Sequence, residues 1–174
     1  TQCEKLRTLI DDLNLTSKLE YGAQPLRRKD LRAGPLFRQL VAQFCESPLA
    51  EHCGITLEQE EPAEQAVLSV DEALLARLLD NLLNNSVRHN PKPVNITVHT
   101  RRAGERFCLT VADDGIGYPA AVLAALNAAE PAENAPHILG LYVVQQIAAA
   151  HGGRAVFGQN SPCGAKAVVY LPLG

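Results

Sequence analysis

Three stretches of the chain carry residue types whose spacing suits ligand chemistry. The first is 74–91, LLARLLDNLLNNSVRHNP. Placed on a helix, Leu75, Leu78, Leu79, Leu82 and Leu83 form an apolar arc, while Arg77, Asp80 and Asn84 face water. Asn81, Asn85, Arg88 and His89 make a third stripe along the edge of that arc. Asparagine costs a helix up to about 0.7 kcal/mol against alanine, so a cluster of them among leucines invites a functional reading. Asn85 offers a neutral oxygen of the kind Mg²⁺ accepts when phosphates supply the charge, and Arg88 stands one turn on to reach the same anion. A merely solvated polar edge is the plain alternative.

The second stretch, 111–119, runs from a strand through Asp113-Asp114-Gly115-Ile116-Gly117 toward a helix. An Asp-Gly pair ordinarily marks a hairpin, yet no alternating strand follows it here. Gly115 and Gly117, flanking Ile116, instead let backbone pass close to a flat ligand. A carboxylate ending a buried strand accepts from an exocyclic amine, which adenine has and guanine lacks at the matching position; Asp113 is the candidate. The third stretch, Pro136-His137-Ile138-Leu139-Gly140-Leu141, opens a helix whose free N–H groups suit phosphate oxygens.

These stretches need elements to hold them. Apolar residues at Cys3, Leu6, Ile10 and Leu13, with Leu9 and Leu19 beside them, predict a helix over about 3–21 that packs on a second helix or a second copy of the chain, the alternative being an ordinary amphipathic helix folded onto the domain. Gly22, Pro25 and the run Arg27-Arg28-Lys29 end it, and Gly34-Pro35 marks a further break at the domain boundary. The organisation expected is a helix at 1–22, a linker at 23–34 and a domain at 35–174. Inside the domain we expect a helix at 36–46, strands at 55–61 and 66–70 joined at Pro62, and a long helix capped by Asp71. A hairpin at 94–102 and 106–112, helices at 120–129 and 140–150, and strands at 154–159 and 165–171 complete it. The fold class predicted is α+β: a two-layer sandwich with helices on one face of a mixed, largely antiparallel sheet.

Composition narrows the function classes. Sixteen basic against nineteen acidic side chains give a charge of −3 in 174 residues, with no Trp and 5% aromatics. No cationic footprint or base-stacking platform for nucleic acid follows from that. The longest apolar run, Ala120–Leu126, falls far short of the roughly 20 residues that cross a bilayer. Five cysteines without a C-x-x-C pair argue for free thiols in a reducing cytosol rather than disulfides or a zinc site.

In this order and at these separations, the three stretches resemble the ATP-binding catalytic domain of sensor histidine kinases, of the GHKL superfamily with the Bergerat fold. The resemblance covers essentially the whole chain. Asn81-Leu82-Leu83-Asn84-Asn85-Ser86 looks like the N box, which implies Mg²⁺ at Asn85, phosphates near Arg88 and adenine beside His89. Asp113 to Gly117 resembles the first glycine box, implying that Asp113 binds the adenine amine with Gly115, Ile116 and Gly117 around it. His151-Gly152-Gly153 before two strands is also typical. Leu9-Ile10-Asp11-Asp12-Leu13 looks like the end of the dimerisation and phosphotransfer hairpin, implying a homodimer through the N-terminal helix and a chain that is a fragment.

The second glycine box departs from the family pattern. Pro136 and Ile138 replace two of its glycines and only Gly140 remains, ahead of Leu141, so binding weaker than the family norm is expected. His137 would partly compensate as a phosphate donor. No Lys or Arg occurs between Tyr118 and Pro136, which predicts a lid that holds the γ-phosphate weakly. None of His52, His89, His99, His137 and His151 has the acidic neighbour of a phosphoacceptor, which is therefore expected upstream of Thr1. For His151 a helix C-cap role is expected.

The function implied is an Mg-ATP-dependent protein histidine kinase of a two-component system, with a cognate response regulator as partner. Its place would be the cytoplasm, as the cytoplasmic part of a sensor that a membrane segment elsewhere is free to anchor. The alternative is a degenerate, pseudokinase-like regulatory module. ATPase relatives such as chaperones, topoisomerases and mismatch-repair proteins carry further domains and fit the N-terminal helix less well.

Overall fold

The structure, a computed structural model, describes residues 2–128 and 138–174. Its main sheet has five strands in the order β2-β4-β5-β7-β6: β2 Cys53–Gln59, β4 Val94–Ala103, β5 Arg106–Asp113, β7 Ala165–Pro172 and β6 Arg154–Gln159. β2 and β4 are parallel and the other neighbours antiparallel. The expected α+β class with a mixed, largely antiparallel sheet is what the chain adopts. A separate two-stranded ribbon joins β1 Lys29–Arg32 to β3 Val67–Val70, antiparallel.

The helices are α1 Gln2–Glu20, α2 Ala33–Cys45, α3 Glu61–Glu64, α4 Glu72–Arg88, α5 Ala120–Leu126 and α6 Leu139–Ala150. Alternation along the strands sends Phe107, Leu109 and Val111 of β5 and Ala167, Val169 and Leu171 of β7 into the core. There Phe107 stacks on Phe37 of α2, with ring centroids 5.4 Å apart. The leucine arc of α4 is buried as the sequence pattern predicts, Leu75, Leu78 and Leu83 wholly. Asp71 caps α4 by accepting from the Leu74 N–H at 3.2 Å.

Several local expectations fail for identifiable reasons. Pro62 does not join two strands of one sheet; it sits in the first turn of α3, where a missing N–H costs nothing. Residues 29–34, expected as linker, carry β1 and the first residues of α2. Gly34-Pro35 is no break either. Gly34 lies within α2 against α3, where an added Cβ would fall 2.5 Å from Glu64 Cγ. Arg77 is only partly in water: its Nε lies 3.1 Å from Oδ1 of buried Asp12 on α1, and its Nη2 bonds the same oxygen. Leu15 and Thr16 of α1 are buried as well, and α1 packs on α6. The stripe of Leu6, Ile10 and Leu13 stays exposed in the single chain. No described helix is long and apolar enough to cross a membrane.

His151 forms the C-cap of α6, as expected, and ties it to the start of α4. Its Nε2 accepts from the Asp71 N–H at 3.0 Å, so Nδ1 carries the proton that bonds the Ile147 carbonyl at 2.8 Å. Burial pushes the His151 imidazole below its ordinary value. The neutral ring is the one the fold uses, so the unfolded chain binds this proton more readily. Stability should therefore fall as pH drops through about 6.5, the ordinary histidine value. Urea melts from about pH 7.5 to about pH 5.5 should show a decline that is shallower in His151→Asn, which is less stable at the upper end.

Candidate functional site

A cleft of about 320 Å³ opens where the end of α4 meets the turn after β5. α4 contributes Asn85 and, just beyond its end, His89 and Asn90. The turn contributes Asp113, Ile116 and Gly117, followed by Tyr118 and Pro119. Val122 of α5, Leu141 of α6 and Ala165 of β7 complete the lining.

Asp113 ends β5 on its core side, in phase with Phe107, Leu109 and Val111, and is 2% exposed. Its Oδ1 accepts from the Gly115 N–H at 2.9 Å and the Ala165 N–H at 3.1 Å. Among the described residues no donor reaches Oδ2, which leaves one acceptor oxygen on the cleft wall. Asp114 projects the other way. Its carboxylate takes the Asn95 side-chain and backbone N–H groups, each at 2.8 Å, and these bonds hold it below the usual carboxylate range. Two adjacent aspartates thus do two jobs, one in the cleft and one bracing the start of β4.

The turn itself is held from β6 and β7. Gln159 accepts from the Tyr118 N–H at 3.0 Å and donates to the Tyr118 carbonyl at 2.6 Å. Gly117 has φ +80°, and a Cβ there would lie 2.2 Å from Gln159 Oε1, so glycine is required on both counts. The Tyr118 ring packs edge-on to Phe157 at 6.0 Å. Burial first, and then the Asp113 charge, push the Tyr118 phenol well up, so it stays neutral.

On α4, Asn85 and His89 line the cleft, whereas Asn81 and Arg88 do not. Arg88 is exposed on the last turn. Asn81 Nδ2 is buried with no partner among the described residues, and Asn81 Oδ1 lies 3.3 Å from where a Cβ on Gly140 would stand. Gly140 therefore lets the start of α6 approach α4 closely. Leu141 lies next to it on the cleft wall, and the first N–H groups of α6 have no intrahelical acceptor. Gly115 stands behind the wall, against Asn90. His137 and Pro136 lie outside the described residues.

The sequence stretches did not single out Asn90, Tyr118, Pro119, Val122 or Ala165. Asn90 had a signal, an Asn-Pro pair just after a helix end. Val122 and Ala165 had none, since small apolar side chains line cores and clefts alike. Chemically, the cleft pairs a buried carboxylate, suited to an amine, with an amide side chain on another element and with apolar side chains in the same lining. Among the described residues no group of three or more His, Cys, Asp or Glu could hold a metal ion by itself. The donor set suits a cation that arrives with its own oxygen ligands, as Mg²⁺ does on phosphates.

The chain has recognisable relatives. Sensor histidine kinase YvrG of Bacillus subtilis strain 168 is 36% identical over 114 residues, covering 66% of this chain and 19% of the relative. Alginate biosynthesis sensor protein KinB of Pseudomonas aeruginosa is 29% identical over 177 residues, covering 99% of this chain and 29% of the relative. The chain thus spans less than a third of these curated relatives. Full-length ShkA, solved in complex with AMPPNP, shares the fold at a TM-score of 0.75 and 24% identity, over 98% of this chain and 36% of that one. Residues 70–174 match the family model described as histidine kinase-, DNA gyrase B-, and HSP90-like ATPase. That match takes in α4, the turn after β5 and the start of α6, and the chain belongs to this ATPase family.

Proposed function

We propose that the chain binds ATP with Mg²⁺ and serves as the catalytic domain of a two-component sensor histidine kinase. The observation that carries this reading is that Asn85 and Asp113, far apart in sequence, line one cleft. Asp113 Oδ2 accepts from the adenine amine, with Ile116, Gly117 and His89 around the base. Asn85 offers its amide oxygen to the cation, and the start of α6 at Gly140 and Leu141 forms the phosphate end; the family resemblance adds Asn81, Arg88 and His137 as phosphate contacts, the first two standing outside the cleft lining and His137 outside the described residues. When bound, Mg²⁺ neutralises phosphate charge.

The chain's own contribution is then positioning: it holds the purine at one end so that the γ-phosphoryl group is presented at the other. In the whole protein that group passes to a histidine nitrogen as its bond to ADP breaks. The exposed stripe of Leu6, Ile10 and Leu13 supports a homodimer through α1. A response regulator that takes the phosphoryl group onward, and a cytoplasmic place for this domain, follow from the same reading.

Titration calorimetry tests it. The chain should bind Mg-ATP more tightly than Mg-GTP, and equal affinities would remove the role given to Asp113. Asp113→Asn turns an acceptor into a donor facing the adenine amine and should weaken ATP about tenfold to a hundredfold. Asn85→Ala should abolish the Mg²⁺ dependence of ATP binding; unaltered dependence would defeat the cation assignment. No thermal stabilisation by millimolar Mg-ATP would instead favour the degenerate regulatory module.

A further inference from the structure

We propose that Asn90 is a positioning residue of this site: it fixes the glycine turn against α4 and so sets the separation between Asn85 and Asp113. The proposal rests on the nucleotide reading above. Asn90 follows the C-cap of α4 and precedes Pro91, and its side chain bridges two elements. Nδ2 donates to the Ser86 carbonyl at 2.6 Å, and Oδ1 accepts from the Ile116 N–H at 2.8 Å. One partner is the residue after Asn85 and the other lies three residues after Asp113. One amide thus links the α4 turn that carries Asn85 to the turn that follows Asp113.

The chemistry asks for asparagine. A carbonyl on one side and an N–H on the other need an acceptor and a donor on a single short group, and only one orientation of the amide satisfies both. Aspartate supplies the acceptor alone and sets its second oxygen against the Ser86 carbonyl. The bridge also dictates its neighbour, because a Cβ at position 115 would fall 2.0 Å from Asn90 Oδ1. A side chain at position 115 would displace this bridge, so glycine there keeps it in place.

At the other end of the α4–β4 connection, Asn95 grips Asp114 through two bonds of 2.8 Å. The two asparagines bracket the connection and pin the turn at Asp114 and Ile116. Asp113 itself is secured separately, by Gly115 and Ala165. Loss of Asn90 should leave the purine end formed while the turn shifts relative to α4. A ligand that spans both anchors then suffers more than one that engages the Asp113 end alone.

The experiment compares Mg-ATP with adenosine, by titration calorimetry, on the unmodified chain, Asn90→Ala and Asn90→Asp. Asn90→Ala should weaken Mg-ATP about tenfold and adenosine by less than about threefold. Asn90→Asp keeps the acceptor for the Ile116 N–H and should retain more of the Mg-ATP affinity than Ala; it carries the same comparison if Ala fails to fold. An equal loss for both ligands, or no loss for either, overturns the role of Asn90 while leaving the nucleotide reading intact. An unmodified chain that binds neither ligand overturns the nucleotide reading, and the proposal with it.

Discussion

A carboxylate can be buried only where hydrogen bonds replace the water it gives up, and Asp113 meets that condition with two backbone N–H groups on one oxygen. Each of those donors commits a different part of the chain. Gly115 must turn back immediately after β5, and Ala165 must begin β7 directly beside it. The requirement then spreads: Gly164, at φ +103°, passes so close that a Cβ would stand 1.8 Å from the Asp113 carbonyl oxygen. Asn160 donates to that same carbonyl at 2.9 Å. The 159–165 bend is therefore shaped to accommodate a single aspartate, and Gln159 in the same bend holds the next part of the turn at Tyr118.

This arrangement separates two demands that compete in a binding cleft. A ligand-facing acceptor must be desolvated to discriminate, but an unpaired buried charge is costly. Splitting the carboxylate meets both: Oδ1 is satisfied by the backbone, and Oδ2 is left for an incoming donor. Tyr118, backed by Phe157 in the core, walls the same region with apolar surface, which lowers the competition from water for that remaining oxygen.

Elements fixed by local pattern were legible in the sequence. The α4 leucines recur with helical spacing behind an Asp cap, and the 94–113 hairpin alternates around a short turn, so both could be placed without knowing their partners. Elements fixed by distant partners were not. β1 exists because Lys29–Arg32 meets Val67–Val70, and Arg77 turns partly out of the solvent because Asp12, on another helix, is there to receive it. Within the cleft, the inward direction of Asp113 follows from the phase of β5. The bridge at Asn90 is invisible until Ser86 and Ile116 are known to stand on either side of it. Gly140 was read as a feature of a phosphate-binding helix start, and the structure adds its close packing on Asn81.

Because β2 and β4 run side by side in the same direction, the chain cannot pass between them with a tight turn. It must leave the sheet at Gln59 and return at Val94, and α4 is the main body of that return path. The helix that forms one wall of the cleft is thus also the connector that lets the edge strand join. Pairing Cys53 with Val94 closes a loop of about forty residues, and seating the leucine face of α4 offsets the entropy of that closure. The edge of the sheet and one wall of the pocket are thus two parts of a single crossover.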